Sequence, residues 1–308
     1  MKPFRFGLQT SSAPDAAAWR DRARRAEALG YSTLYVPDHF SDQWGPIVAL
    51  TVAAEATTTL NVGALVFDND YRHPVVLAKE VATLDLMSGG RVEFGLGAGW
   101  MTTDYEQSGI PHDSAKVRID RLEEAIAVYA QLWKGTTSFT GEHYRVEGAL
   151  GLPAPASPGG PKLVIGGGGK RVLTLAAQHA DIVGINPSLR SGAVDDATAR
   201  SAVAELYDDR VRWVRDAAGA RFDDIELQVL TFIVNVGGDR DEMAKLMAPG
   251  LGITEEQAHD VPIALIGSVE EICDLLVERR ERWGLSYWVV HDAEMEAFAA
   301  VIDRLAGT

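Results

Sequence analysis

Residues 163–172 read LVIGGGGKRV: three apolar residues, then Gly166, Gly167, Gly168 and Gly169, then Lys170 and Arg171. A glycine run between a strand and a helix lets successive backbone N–H groups turn toward one point, where the helix start adds partial positive charge. That donor set suits a phosphate, and Lys170 or Arg171 could complete an anion site. The alternative is a flexible turn, but four consecutive glycines cost conformational entropy that a plain turn seldom needs. No Ser or Thr follows Lys170 in the P-loop pattern, so a P-loop is not the reading.

Three other stretches carry chemistry. VPDHF puts Asp38 and His39 just after an apolar run. A histidine there could donate to, or exchange protons with, a bound ring; equally, it could be satisfied by Asp38 or by a backbone carbonyl. GLGAGW contains Gly97 and Gly99, which would admit a flat ligand closely or pack a strand tightly against a helix, with Trp100 as pocket wall or interior aromatic. His291 follows the last apolar run, and a satisfied structural histidine is the favoured reading. His39, His73, His112, His143, His179, His259 and His291 show no H-x-x-x-H or H-x-H spacing, so no metal site is expected. No G-x-S-x-G elbow occurs, which counts against a serine hydrolase of the α/β type.

These residues need elements to hold them, and the chain alternates strand-like and helix-like segments. Strands are predicted at residues 4–9, 33–36, 60–67, 91–97, 163–165, 181–185, 227–234 and 286–290. Helices are predicted at 15–30, 46–59, 74–87, 117–133, 172–179, 194–216, 269–283 and 294–305. Pro46 and Pro74 stand at helix starts, where a missing N–H costs nothing. Most of the strands are short, apolar and rich in β-branched residues, as a parallel sheet covered on both faces requires. Eight such units fit a (β/α)8 TIM barrel; a doubly wound open sheet is second, because no G-x-G-x-x-G follows the first strand. Residues 135–161, with the hairpin-like SFTGEHYRVEG, and residues 237–262 break the alternation. Both read as insertions within a single domain spanning 1–308, of a length common in lids and binding loops. In a barrel the active site lies at the C-terminal strand ends, and Asp38, His39, Gly97, Gly99 and Gly166–Gly169 all fall there.

Composition narrows the partners. Lys plus Arg is 29 against 44 Asp plus Glu, a net charge of −15, which argues against nucleic acid or an anionic membrane as partner. Cys273 is the only cysteine, so neither an internal disulfide nor a cysteine metal cluster can form. No apolar run approaches the roughly 18 residues of a membrane helix, and MKPFRFGLQ lacks a signal core. A cytoplasmic location is expected.

The strand ends together resemble a known family. LYVPDHF, the long block VGALVFDNDYRHPVVLAKEVATLDLMSGGRVEFGLGAGW, YEQSGIP, RIDRLEEA, IGGGGKRVLTLAAQHADIVGIN and LIGSVEEICDLL resemble the bacterial luciferase-like superfamily, and within it the coenzyme F420-dependent oxidoreductases. The resemblance implies a luciferase-like barrel that moves a hydride between the deazaflavin and a small organic substrate, with residues 135–161 and 237–262 as a roof. It implies Asp38 and His39 beside the deazaflavin ring, with His39 as proton donor. It implies a non-prolyl cis peptide at Ala64–Leu65 backing the ring, Gly97 and Gly99 flanking it, and Gly166–Gly169 on the cofactor phosphate with Lys170 or Arg171 as helpers. It admits a second chemistry, an FMN-dependent monooxygenase using dioxygen, because FMN brings a similar ring and phosphate. It also implies a homodimer through the early helices, 46–59 and 74–87. One departure stands out. Sugar-phosphate dehydrogenases of this type carry a glutamate after the G-x-G of the fourth strand, and Trp100 follows GLGAG here, so their acid–base scheme does not carry over.

Overall fold

The computed structural model describes residues 1–308. The fold is a (β/α)8 barrel, in agreement with the alternation read from the sequence. The chain divides into two compact units. One comprises Ser11–Arg25 and Thr33–Ile165 and holds the parallel strands Thr33–Val36, Asn61–Ala64 and Val92–Gly97, with residues 162–165 paired to the last of these. The other comprises Met1–Thr10, Ala26–Ser32 and Gly166–Thr308 and holds Arg5–Gln9, Leu285–His291, Glu226–Leu230 and Ile182–Ile185, again parallel. The barrel strands are buried almost throughout and mostly apolar, with Thr33, Glu93 and Ser286 among the buried exceptions.

Local signals set the helix ends. Pro46 and Pro74 open Pro46–Ala56 and Pro74–Ser88, and the second ends at Gly89 with φ 71°, a left-handed cap that glycine adopts without strain. Ser268 and Glu271 form a reciprocal capping box on Val269–Trp283, and Thr254 and Gln257 do the same for Glu255–His259. In the first unit Arg91 ties elements together by donating to the carbonyls of Ala54, Leu60 and Ser88. In the second, the fully buried Arg279 donates to the carbonyls of Val261, Pro262 and Ala264. No helix is long and apolar enough to cross a membrane.

Four segments depart from the sequence reading. The strand expected at 60–67 is two pieces, Asn61–Ala64 and Phe67–Asp68. The cis peptide lies at Leu65–Val66, and Ala64–Leu65 is trans, which corrects the expected position by one bond. The Leu65 N–H still donates to the Val36 carbonyl at 3.0 Å, so the ladder runs through that amide and the chain leaves it only afterwards. The strand expected at 227–234 also divides. Thr231 uses both its N–H and its hydroxyl on the Val289 carbonyl, at 2.9 Å each, and Phe232 turns its N–H to Ile263. Ile233–Val236 then pairs with Ala264–Gly267, a strand that apolar patterning alone did not separate from the flanking loop. The helix expected at 194–216 is broken into Asp196–Arg200 and Ala204–Ala218, and a short helix not foreseen, Thr102–Ser108, follows Trp100. The hairpin-like piece is an antiparallel pair, Thr137–Thr140 with Arg145–Ala149.

Candidate active site

In the unit that contains Thr33–Ile165, the strand Thr33–Val36 delivers Asp38 and His39 within three residues of its end. The two neighbours serve different partners. Asp38 is buried and receives Arg72 in a two-pronged contact, Nη1 to Oδ2 at 2.5 Å and Nη2 to Oδ1 at 3.1 Å. It also accepts the Asp68 N–H at 3.1 Å. Burial opposes the Arg72 charge, but the hydrogen bonds and charge of Asp38 outweigh it and hold the guanidinium above its usual range. His39 is not satisfied by Asp38. Its Nδ1 lies 2.6 Å from Oδ2 of Asp104, a residue 65 positions away on Thr102–Ser108. Neither histidine spacing nor charge patterning identifies that pair.

Asp104 belongs to a buried network of carboxylates and tyrosines. Its Oδ1 accepts the Phe40 N–H at 3.3 Å and its Oδ2 the Tyr71 hydroxyl at 3.0 Å. Tyr105 donates to Asp70 at 3.0 Å and lies 3.3 Å from Asp68. Arg121 bonds both Asp70, at 2.7 Å, and Asp113. Burial pushes the Asp68 carboxyl up to about 7, with the charges of Asp70 and Asp38 adding to the rise. Burial likewise drives the Tyr71 and Tyr105 hydroxyls far above their ordinary range, so both remain donors.

The raised Asp68 has a consequence for stability. The folded protein keeps this proton up to about 7, whereas the unfolded chain releases it near 3.8. Its contribution is therefore full below the unfolded value and is lost as pH rises through about 7. The loss amounts to a few kcal/mol, at about 1.4 kcal/mol per pH unit. The Asp68→Asn variant carries no proton to lose and should gain on the wild type between about pH 4 and about pH 7 in urea unfolding. Parallel pH profiles for the two proteins would refute this.

The glycines of GLGAGW are accounted for by close packing. A Cβ on Gly97 would stand 2.6 Å from a Val66 methyl, and one on Gly99 would land on the Tyr105 hydroxyl and the Asp68 carboxylate. Gly99 also has φ 73°, which a side chain would strain. Ala64 is buried and its carbonyl lies against Gly95, where a Cβ would strike it. Leu65 is partly exposed. The Trp100 and His39 rings pack perpendicular to each other, with centres 5.5 Å apart and planes at 87°.

The glycine run ends the strand Lys162–Gly167 and, from Gly166 within the other unit, leads into the helix Lys170–His179. Its members do different things. A Cβ on Gly167 would strike Val172, and one on Gly168 would strike the Pro187 carbonyl. A Cβ on Gly166 would stand 3.1 Å from the Asn186 side-chain nitrogen. Gly169 alone faces open space, and it begins the helix with no side-chain cap on the first-turn amides. Lys170 and Arg171 are exposed beside it. The sequence reading missed Arg210. Its buried guanidinium donates to the Gly168 carbonyl at 3.1 Å and the Ser201 carbonyl at 2.7 Å, and burial lowers its pKa. Two carbonyl partners leave its positive charge without a bonded carboxylate.

A model of the luciferase-like monooxygenase family matches residues 1–286. The chain belongs to that family. Among curated members it is 28% identical over 295 residues to the F420-dependent glucose-6-phosphate dehydrogenase of Amycolatopsis mediterranei (strain U-32), covering 91% of this chain and 82% of that one. It is 32% identical over 165 residues to the 5,10-methylenetetrahydromethanopterin reductase of Archaeoglobus fulgidus, covering 53% and 47%. Among solved luciferase-like structures, the coenzyme F420-dependent tetrahydromethanopterin reductase from Methanopyrus kandleri superposes with a TM-score of 0.78 at 17% identity, covering 99% and 98%. At that identity the likeness supports the fold.

Proposed function

We propose that this luciferase-like protein is an oxidoreductase that uses coenzyme F420 to transfer a hydride to or from a small organic substrate. The observation that carries the reading is His39. Its Nδ1 is engaged by a buried carboxylate, while Nε2 makes no hydrogen bond within the protein and the side chain is 19% exposed. An imidazole held on one side and unbonded on the other can accept a proton from a substrate hydroxyl, or return one to a carbonyl. The similarity to F420-dependent dehydrogenases and reductases along the chain supports the choice of cofactor.

The residues present fit such a cofactor. Gly169 offers open space at an uncapped helix start, a ready site for a phosphate, and Gly166, Gly167 and Gly168 bring the backbone to it with Lys170 and Arg171 nearby. Bound there, F420 supplies a two-electron carrier that reacts as a hydride donor or acceptor. The protein supplies orientation, exclusion of water and a proton site. Asp38, locked to Arg72, holds the segment that carries His39 instead of exchanging protons itself.

The alternative chemistry is an FMN-dependent monooxygenase, which the luciferase-like monooxygenase family match admits. Fluorescence titration with each cofactor separates the two. Saturable binding of F420 with weak or absent binding of FMN is the expected result; tight FMN binding with none for F420 would reverse the assignment.

A further inference from the structure

We propose that Asp104 is the positioning residue that fixes the tautomer of His39. The proposal rests on the reading of His39 as the proton site. Asp104 is 2% exposed, and each of its oxygens has a protein donor besides the imidazole: Phe40 N–H on Oδ1 and the Tyr71 hydroxyl on Oδ2. A backbone N–H can only donate, so Oδ1 faces Phe40 as an acceptor. Oδ2, 2.6 Å from Nδ1, then receives the Nδ1 proton of His39. In the neutral ring that leaves Nε2 as the bare nitrogen, with its lone pair available to the substrate. Were a substrate alcohol oxidised, its hydroxyl proton would pass to Nε2, and bound F420 would supply the acceptor for the hydride released as the carbinol C–O became C=O. The resulting imidazolium is stabilised by the Asp104 carboxylate. The Trp100 ring packs perpendicular to the imidazole, with centres 5.5 Å apart. The titratable groups that meet His39 are thus Asp104 from Thr102–Ser108 and, through it, Tyr71 from Asn69–Tyr71.

The same geometry says what an amide would do. In Asp104→Asn the Phe40 N–H still calls for an oxygen at its end. The amide NH2 therefore takes the place of Oδ2 and points its hydrogens at Nδ1 and Tyr71. His39 must then carry its proton on Nε2, the wrong nitrogen for accepting a second one. Long-range 1H–15N correlation spectra of imidazole-labelled protein read the tautomer directly, with or without cofactor. The expected result is bare Nε2 in the wild type and in Tyr71→Phe, which keeps the carboxylate, and bare Nδ1 in Asp104→Asn. Turnover in Asp104→Asn should fall by about 100-fold or more, while F420 affinity stays close to wild type. An unchanged tautomer in Asp104→Asn, or an inverted tautomer with unchanged turnover, overturns the proposal. Failure of wild-type protein to bind F420 at all overturns the assigned function instead, and the spectra still report whether Asp104 sets the ring.

Discussion

Replacing His39 with alanine is expected to lower kcat by about 100- to 10,000-fold, the range for loss of a general acid–base group, with little change in the dissociation constant for F420. The side chain contacts Asp104 and Trp100 and leaves Nε2 without a protein partner, so its loss removes a proton site and little else. Asp104 keeps two donors, Phe40 N–H and Tyr71 hydroxyl, and is not stranded as a bare buried charge. The cost to stability should therefore stay near that of one hydrogen bond to a charged group, about 1.5–3 kcal/mol. Steady-state kinetics with fluorescence titration of F420 makes the measurement. Parallel losses in turnover and cofactor affinity would mean that His39 holds the ring and moves no proton.

The second large effect concerns Gly169. This residue has φ −101° and ψ 149°, an ordinary extended conformation, and nothing lies within 4 Å of a Cβ built there. Gly169→Asp can thus be accommodated without strain, and its carboxylate would cap the helix Lys170–His179. Capping and the helix dipole together should raise apo stability by about 0.5–1 kcal/mol. The same carboxylate takes the N–H groups proposed to hold the cofactor phosphate and would repel it. Losing one charge-assisted hydrogen bond costs about 1.5–3 kcal/mol, which weakens F420 binding by about 10-fold or more. Opposite signs for stability and affinity distinguish an anion site from a turn, because a mere turn would become more stable and bind F420 unchanged. Gly169→Ala, which adds no charge, should leave affinity nearly intact.

Much of the scaffold was readable along the chain. Pro46, Pro74 and Gly89 act on their own φ angles or on hydrogen bonds a few residues away, so helix ends follow from local sequence. Runs such as TLYV and VEFGLG are mostly apolar because parallel barrel strands are covered on both faces, so the order of strands and helices is legible too. The breaks in two strands were not, because they depend on Val36, Val289 and Ile263 accepting hydrogen bonds from residues that only the fold brings near.

The residue types at the strand ends, Asp38, His39, Gly97, Gly99 and the run from Gly166 to Arg171, are properties of the sequence alone, as is the family resemblance they carry. What each one does was decided by the tertiary structure. His39 meets Asp104 across 65 residues, Asp38 meets Arg72 across 34, and Gly168 meets Arg210 across 42. Within the glycine run, Val172 and Pro187 occupy the side-chain space of two members and leave Gly169 open. Local propensity is summed over a few neighbouring dihedrals and can be read in order. A pairing of distant side chains depends on where every intervening element packs, and that information lies in the three-dimensional arrangement of the whole.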